Sequence, residues 1–221
     1  MKTQKTAIII GATGLIGRNL VNLLIEDEYF SSIKLFVRRK SGFTSPKIQE
    51  YIVNFDEISS YCKLVQGDVL FSCLGTTLKQ AGSKKAQYHI DYTYQYQFAE
   101  LAAENGVSSL ILVSSANASS KSIFFYSRVK GELDEAVVEL PFEKVLIFRP
   151  SVLMGERESK RPGEEIGAKI INRIGKLIPS LNKYRGIAAT DVALAMISAY
   201  KKQQSSKAVI YTLDEILDLI N

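Results

Sequence analysis

The sequence predicts an α/β protein: a Rossmann-type, doubly wound parallel sheet in a single domain with a short C-terminal cap. Three observations predict it. Short aliphatic runs alternate with longer helical patterns, the signature of βαβ units. Each run is apolar on both faces, as a sheet covered on both sides demands. The first run passes straight into glycines at intervals of three, "IIIGATGLIGRNL", residues Ile8 to Leu20.

The elements follow in order. Ala7–Ile10 is the first strand, and Gly11, Thr13 and Gly14 form the turn after it. Leu15, Ile16 and Gly17 open a helix whose apolar face is Ile16, Leu20, Leu23 and Leu24. Lys34–Val37 and Tyr51–Val53 are the second and third strands, and Val69–Cys73 is the fourth, followed by Leu74 and Gly75. A long helix over Gln87–Glu104 stops at Asn105-Gly106. Leu110–Val113 is the fifth strand, ending in "VSS". A third helix runs from about Tyr126 to Leu140 and ends at Pro141. Val145–Phe148 is the sixth strand and Val209–Tyr211 a short seventh. The strand order expected is 3-2-1-4-5-6, with the seventh as an addition. Residues 151–190 form a substrate-side cap segment within the one domain, 1–221.

Composition narrows the function. With 221 residues, 46% of them hydrophobic, and mean hydropathy near zero at +0.03, the chain can bury a sizeable core. No apolar run approaches the roughly 20 residues of a spanning helix, and no secretory signal opens the chain. A soluble, cytoplasmic protein without a membrane partner is expected. Two cysteines, Cys62 and Cys73, fit reduced thiols, with Cys73 in the core. The net charge of +5 comes from 28 basic and 23 acidic residues spread along the chain, which reads as a solvated surface rather than a nucleic-acid site. His89, the one histidine, has no second ligand at useful spacing, so no metal is expected. Tyr88, Tyr92, Tyr94 and Tyr96 read as a packing face or subunit contact, because no basic interleaving accompanies them.

The chemistry starts at the glycines. After a strand and before a helix, bare backbone lets a pyrophosphate approach the free N–H groups and positive dipole end of the helix. About 20 residues on, an acidic residue would hydrogen-bond an adenosine ribose, whereas this chain has "LFVRRK". Arg38 and Arg39 therefore favour the 2′-phosphate of NADP(H). Behind "VSS", Tyr126 and Lys130 lie four apart on one helix face. A neighbouring ammonium favours the phenolate of a tyrosine that is otherwise a poor acid or base at neutral pH. Tyr126 would protonate a carbonyl oxygen, Lys130 would provide the ammonium and hold ribose hydroxyls, and Ser114 or Ser115 would position the oxygen.

Together, "GATGLIG", "FVRRK", "FSCLGTT", "VSS", "YSRVKGEL" and "IFRPSVLMGERESKRPGE" resemble the atypical branch of the short-chain dehydrogenase/reductase superfamily. More narrowly they resemble the Tat-interacting-protein oxidoreductase family, with NmrA-like proteins more distant. The resemblance spans about residues 5–200. It implies NADP(H) contacts from Thr13, Arg38, Arg39, Leu74 and Gly75, a catalytic pair Tyr126 and Lys130, and an approach of Leu153 and Arg161 to the nicotinamide side. Alignment to the "VSS" end makes Ser115 the substrate serine. One departure is plain: the superfamily's asparagine in the helix before the fifth strand is matched by Asp91. The implied function is an NADPH-dependent carbonyl reductase or dehydrogenase of a small molecule. The alternative is a non-catalytic NADP(H)-binding regulator of a protein partner. A homodimer and a complex with a protein partner both stay open as assemblies, since the sequence does not fix the oligomeric state.

Overall fold

Ile8 and Ile10 point to one side of the central sheet and Ala7 and Ile9 to the other, and each pair belongs to a separate hydrophobic core. That alternation within an all-apolar strand is why the sheet needs helices on both faces. The computed structural model describes residues 4–154, 186–202 and 206–221. Seven parallel strands form the main sheet: β1 (Lys5–Ile10), β2 (Phe30–Val37), β3 (Ile48–Ile52), β4 (Val69–Ser72), β5 (Ser109–Val113), β6 (Lys144–Phe148) and β9 (Ala208–Tyr211). Their spatial order is β3-β2-β1-β4-β5-β6-β9, so the expected order holds and the extra strand lies beside β6. A separate two-stranded pairing joins β7 (Leu153–Met154) to β8 (Ile187–Ala188).

On the face of Ala7 and Ile9 lie α1 (Leu15–Glu26) and α6 (Ala189–Lys201), which bury Leu20 and Leu24 with Val192 and Met196. On the other face, α4 (Tyr94–Glu104) and α5 (Phe125–Glu139) bury Phe98 and Ala102 with Leu133 and Val137. Phe36 and Phe98 meet edge to face at 5.0 Å across that layer. Each fully buried side chain of this size contributes about 1.5–3 kcal/mol of apolar transfer. The short helices α2 (Leu78–Ala81) and α3 (Lys84–Tyr88) precede α4, and α7 (Leu213–Asp218) closes the chain behind a capping box of Thr212 and Glu215.

Three sequence expectations need adjusting. β2 starts at Phe30, four residues before Lys34, and β3 spans Ile48–Ile52 rather than Tyr51–Val53. β2 begins where Phe30 pairs with Lys5 of β1, and β3 where Ile48 pairs with Ile33 of β2, because pairing rather than local apolarity sets where a strand begins. The single helix expected over Gln87–Glu104 is three pieces: α3, a widened π turn over His89–Thr93, and α4. Such turns occur mostly inside α-helices and often at functional sites.

Register delivers the site. Ile10, Ser72, Leu112 and Ile147 form one row across β1, β4, β5 and β6, so these strands end together. The order reverses direction between β1 and β4, the switch point where open α/β sheets bind ligands beyond their carboxyl ends.

Candidate active site

The three glycines divide their labour. Gly11 has φ +78°, a left-handed conformation, and a Cβ there would overlap the backbone of Cys73 and Leu74. A Cβ on Gly17 would overlap the Gly11 carbonyl, since α1 starts directly against the turn. These two glycines serve contact between backbone segments. Gly14 is different: it is exposed, it is the N-cap of α1, and an added Cβ would come no closer than 3.2 Å to Gly11. Its N–H donates to the Gly11 carbonyl at 3.0 Å, closing the turn. No side chain caps α1 and no acidic residue stands in its first turn. Beside exposed Thr13, the helix thus offers N–H groups and a positive dipole end to an anion. Leu15 is half-buried and Ile16 buried, so both anchor this end.

Next door, β2 ends at Val37 and Arg38, Arg39 and Lys40 follow it, all exposed. On the other side of β1, Leu74 and Gly75 leave β4, and the Thr76 N–H donates to Asp91 Oδ1 at 2.8 Å. Asp91 is 1% exposed. The loop expected to lie along a dinucleotide is therefore held from below by a buried carboxylate. Asp91 is the residue that stands where the resemblance implies an asparagine.

The second constellation sits where β5 ends. Ser114 is buried and its hydroxyl donates to Asp134 Oδ2 at 2.9 Å. Arg149 Nε donates to the same oxygen at 2.9 Å. Ser115 is half-buried, and among the described residues its hydroxyl has no hydrogen-bond partner. Tyr126, in the first turn of α5, is 43% exposed. Lys130, one turn on, is 3% exposed, and its Nζ donates to the Val113 carbonyl at 2.9 Å. Gly131 explains the close seat of α5: a Cβ there would overlap the backbone of Ser119 and Ser120. Sequence reasoning missed Asp134, Arg149 and Gly131. The only signal for Asp134 was its position one turn past Lys130.

Burial dominates the electrostatics. Desolvation lowers the Lys130 pKa, while the negative charges of Asp91 and Asp134 and the Cys73 thiol, if ionised, oppose it. Desolvation raises Asp134, against the Ser114 hydroxyl and the charges of Lys130 and Arg149. The Cys73 thiol is pushed up to about 12 by burial, which keeps it protonated and inert.

Leu153 is half-buried in β7, paired with Ile187, and Arg161 lies outside the described residues, as does most of the cap segment. His89 is exposed and contacts Asp56 Oδ1 at 2.9 Å. Hydrogen bonds from His89 and Tyr94 hold the Asp56 carboxyl below its usual range, and Tyr94 is pushed up to about 12, chiefly by burial. Tyr88, Tyr92 and Tyr96 stack in a row, with centroids 5.0 and 5.9 Å apart.

The HIM1 family profile matches residues 40–184. The chain belongs to the HIM1 family. Among this HIM1 protein's relatives, the protein HTATIP2 of Rattus norvegicus is 34% identical over 88% of this chain and 81% of its own length. The mitochondrial protein FMP52 of Meyerozyma guilliermondii is 35% identical over 96% of this chain and 86% of its own. A short-chain dehydrogenase/reductase superfamily protein from Agrobacterium tumefaciens, solved with bound NAD, superposes with a TM-score of 0.71 at 12% identity, covering 94% of this chain and 77% of that one. The Bordetella bronchiseptica enzyme WbmH, solved with NAD+, gives 0.70 at 14% identity, over 95% and 76%. The chain shares the Rossmann-type fold of these solved structures. One expectation falls. The FMP52 relatives are mitochondrial by name, which overturns the cytoplasmic assignment. Cellular addresses are read from short targeting segments, and the composition of a folded core carries no information about them.

Proposed function

We propose that this protein is an NADP(H)-dependent oxidoreductase that reduces a carbonyl group of a small molecule, with Ser115, Tyr126 and Lys130 as its catalytic residues. The observation that carries the reading is the division of roles at the end of β5. Ser114 is committed to Asp134, Ser115 has no such tie, and an exposed tyrosine stands one turn before a buried lysine.

The residues suit the dinucleotide. An uncapped helix N-terminus, an outward-facing Gly14 and exposed Thr13 accept a pyrophosphate. Arg38 and Arg39 pair with a 2′-phosphate, and Leu74 and Gly75 line the dinucleotide on the side held by Asp91. Leu153 and Arg161 belong to the nicotinamide side on the family's pattern. When bound, the cofactor supplies hydride. The chain's own groups do the rest. Ser115 donates a hydrogen bond to the carbonyl oxygen, and Tyr126 delivers a proton to that oxygen as negative charge develops on it. The Lys130 ammonium favours the phenolate left behind.

A second reading, a non-catalytic NADP(H)-binding regulator, draws on one observation: Lys130 spends a donor on the Val113 carbonyl inside the protein. The two part at Tyr126→Phe. In an oxidoreductase this variant keeps NADPH affinity while single-turnover NADPH consumption, across aldehydes, ketones and quinones, falls by about 10²- to 10⁴-fold. A parent protein that binds NADPH tightly yet turns over nothing on the panel overturns the enzyme reading in favour of the regulator.

A further inference from the structure

One carboxylate gathers three elements at the end of β5. Asp134 on α5 is 3% exposed, and its Oδ2 accepts from both the Ser114 hydroxyl and Arg149 Nε, each at 2.9 Å. Its other oxygen, Oδ1, is buried and has no hydrogen-bond partner among the described residues. A carboxylate can accept about four hydrogen bonds, so burying one with an oxygen unused is a poor device for stability. Replacing a buried ion pair by apolar side chains of similar volume is often neutral or stabilising. What this carboxylate supplies is direction.

α5 reaches the sheet through Leu133 and Val137, which join the core of Leu112 and Ile147. Apolar contact is non-directional, and it resists a shift of the helix along its axis less sharply than a hydrogen bond to a fixed partner does. Both partners of Asp134 are fixed. The Ser114 N–H donates to the Phe148 carbonyl at 2.7 Å, and the Arg149 N–H donates to the Tyr211 carbonyl at 2.9 Å. Asp134 thus ties α5 to two strand ends that are themselves tied to the sheet. Tyr126, Lys130 and Asp134 follow at four-residue steps along one face of α5. Lys130 meets β5 at the Val113 carbonyl, one residue before Ser114. A shift of α5 along its axis would move Tyr126 relative to Ser115.

We propose that Asp134 is a positioning residue: its bonds to Ser114 and Arg149 set the register of α5 against β5 and β6, and so the placing of Tyr126 relative to Ser115. The roles of Tyr126 and Ser115 rest on the oxidoreductase reading. The register itself is measurable without substrate or cofactor.

The experiment replaces the pair by apolar residues, Asp134→Leu with Arg149→Met, which removes both charges and the unused oxygen together. This variant should melt within about 3 °C of the parent or above it. In its crystal structure α5 should sit about 0.5–1 Å from its place in the parent, enough to spoil a catalytic geometry. With the best substrate of the aldehyde, ketone and quinone panel, kcat should fall by about 10- to 100-fold. KM and NADPH affinity should stay within about twofold of the parent, because the groups that bind are still present. Asp134→Asn keeps an acceptor for both donors without the charge, and its kcat should stay within about fivefold of the parent. Full kcat in the folded double variant would overturn the proposal. So would a fall in Asp134→Asn as large as in the double variant, by assigning the effect to charge. If the parent turns over nothing, the oxidoreductase reading fails and the register decides alone: a displaced α5 upholds the proposal, and an α5 that superposes on the parent's refutes it. Should the double variant not fold, Arg149→Met alone takes its place under the same two measurements, since burial already favours the protonated form of Asp134. There kcat should fall by about 3- to 10-fold with α5 displaced, and an unchanged register would refute the proposal.

Discussion

The turn after β1 and the segment after β5 leave the same edge of the sheet, yet the first presents backbone and the second presents side chains. At the glycine turn, Gly11 and Gly17 are filled by neighbouring backbone and Gly14 faces outward beside an uncapped helix. At the end of β5, Ser114, Lys130 and Asp134 are all buried, and each hydrogen-bonds a group on another element. On the proposed function, the difference follows from what each end would hold. A phosphate group is met by helix N–H groups and a dipole, which cost no desolvation of a charge. A proton-transfer site needs ionisable groups whose charges burial makes expensive, and these must be balanced by others.

The largest effect should come from setting the glycines against one another. Gly17→Val forces a branched side chain into the Gly11 carbonyl, and a loss of stability above about 4 kcal/mol is expected, enough to abolish a cooperative melt. Gly14→Val should leave most of the fold intact and remove the melting-temperature rise that NADPH produces in the parent. Full NADPH stabilisation of Gly14→Val would reduce the turn to a structural device.

A smaller effect concerns the basic flank of the same end. If Arg38 and Arg39 clamp a 2′-phosphate, NADPH should bind more tightly than NADH. Arg38→Asp should narrow or invert that preference by removing a charge-assisted bond worth about 1.5–3 kcal/mol. Fluorescence transfer from protein to nicotinamide measures both affinities, and equal affinities in the parent would remove the assignment.

The smallest effect belongs to the side-chain end and is a matter of pH. The folded-state pKa of Lys130 lies below the ordinary 10.5, so the unfolded chain binds more protons in the window between the two values. Stability should therefore rise with pH through that window and fall as pH drops through the lowered value. The melting temperature of the parent relative to Lys130→Met should climb toward pH about 10.5. A flat difference would mean that the lysine ionises as freely in the fold as outside it. The glycine turn predicts no such dependence for Gly14→Val.

Much of this protein was legible in the sequence alone. Seven apolar runs, the strand order, the glycine spacing and the Tyr126–Lys130 pair are local or periodic signals, because each element must match its own repeat to bury its apolar face. The glycine turn was legible as a motif, but the different duties of Gly11, Gly14 and Gly17 were not. They depend on which backbone passes within contact distance: for Gly11 it is Cys73–Leu74, more than fifty residues away, and for Gly17 it is Gly11 and Ala12 of the folded turn itself. The π turn at His89–Thr93 was hidden within an ordinary helical pattern. Tertiary structure also decided that Ser114 is spent on Asp134, that Arg149 shares that carboxylate, and that Asp91 holds Thr76. Hydrophobic periodicity is written residue by residue along the chain, whereas a buried charge acquires its meaning from partners that only the closed sheet brings within reach.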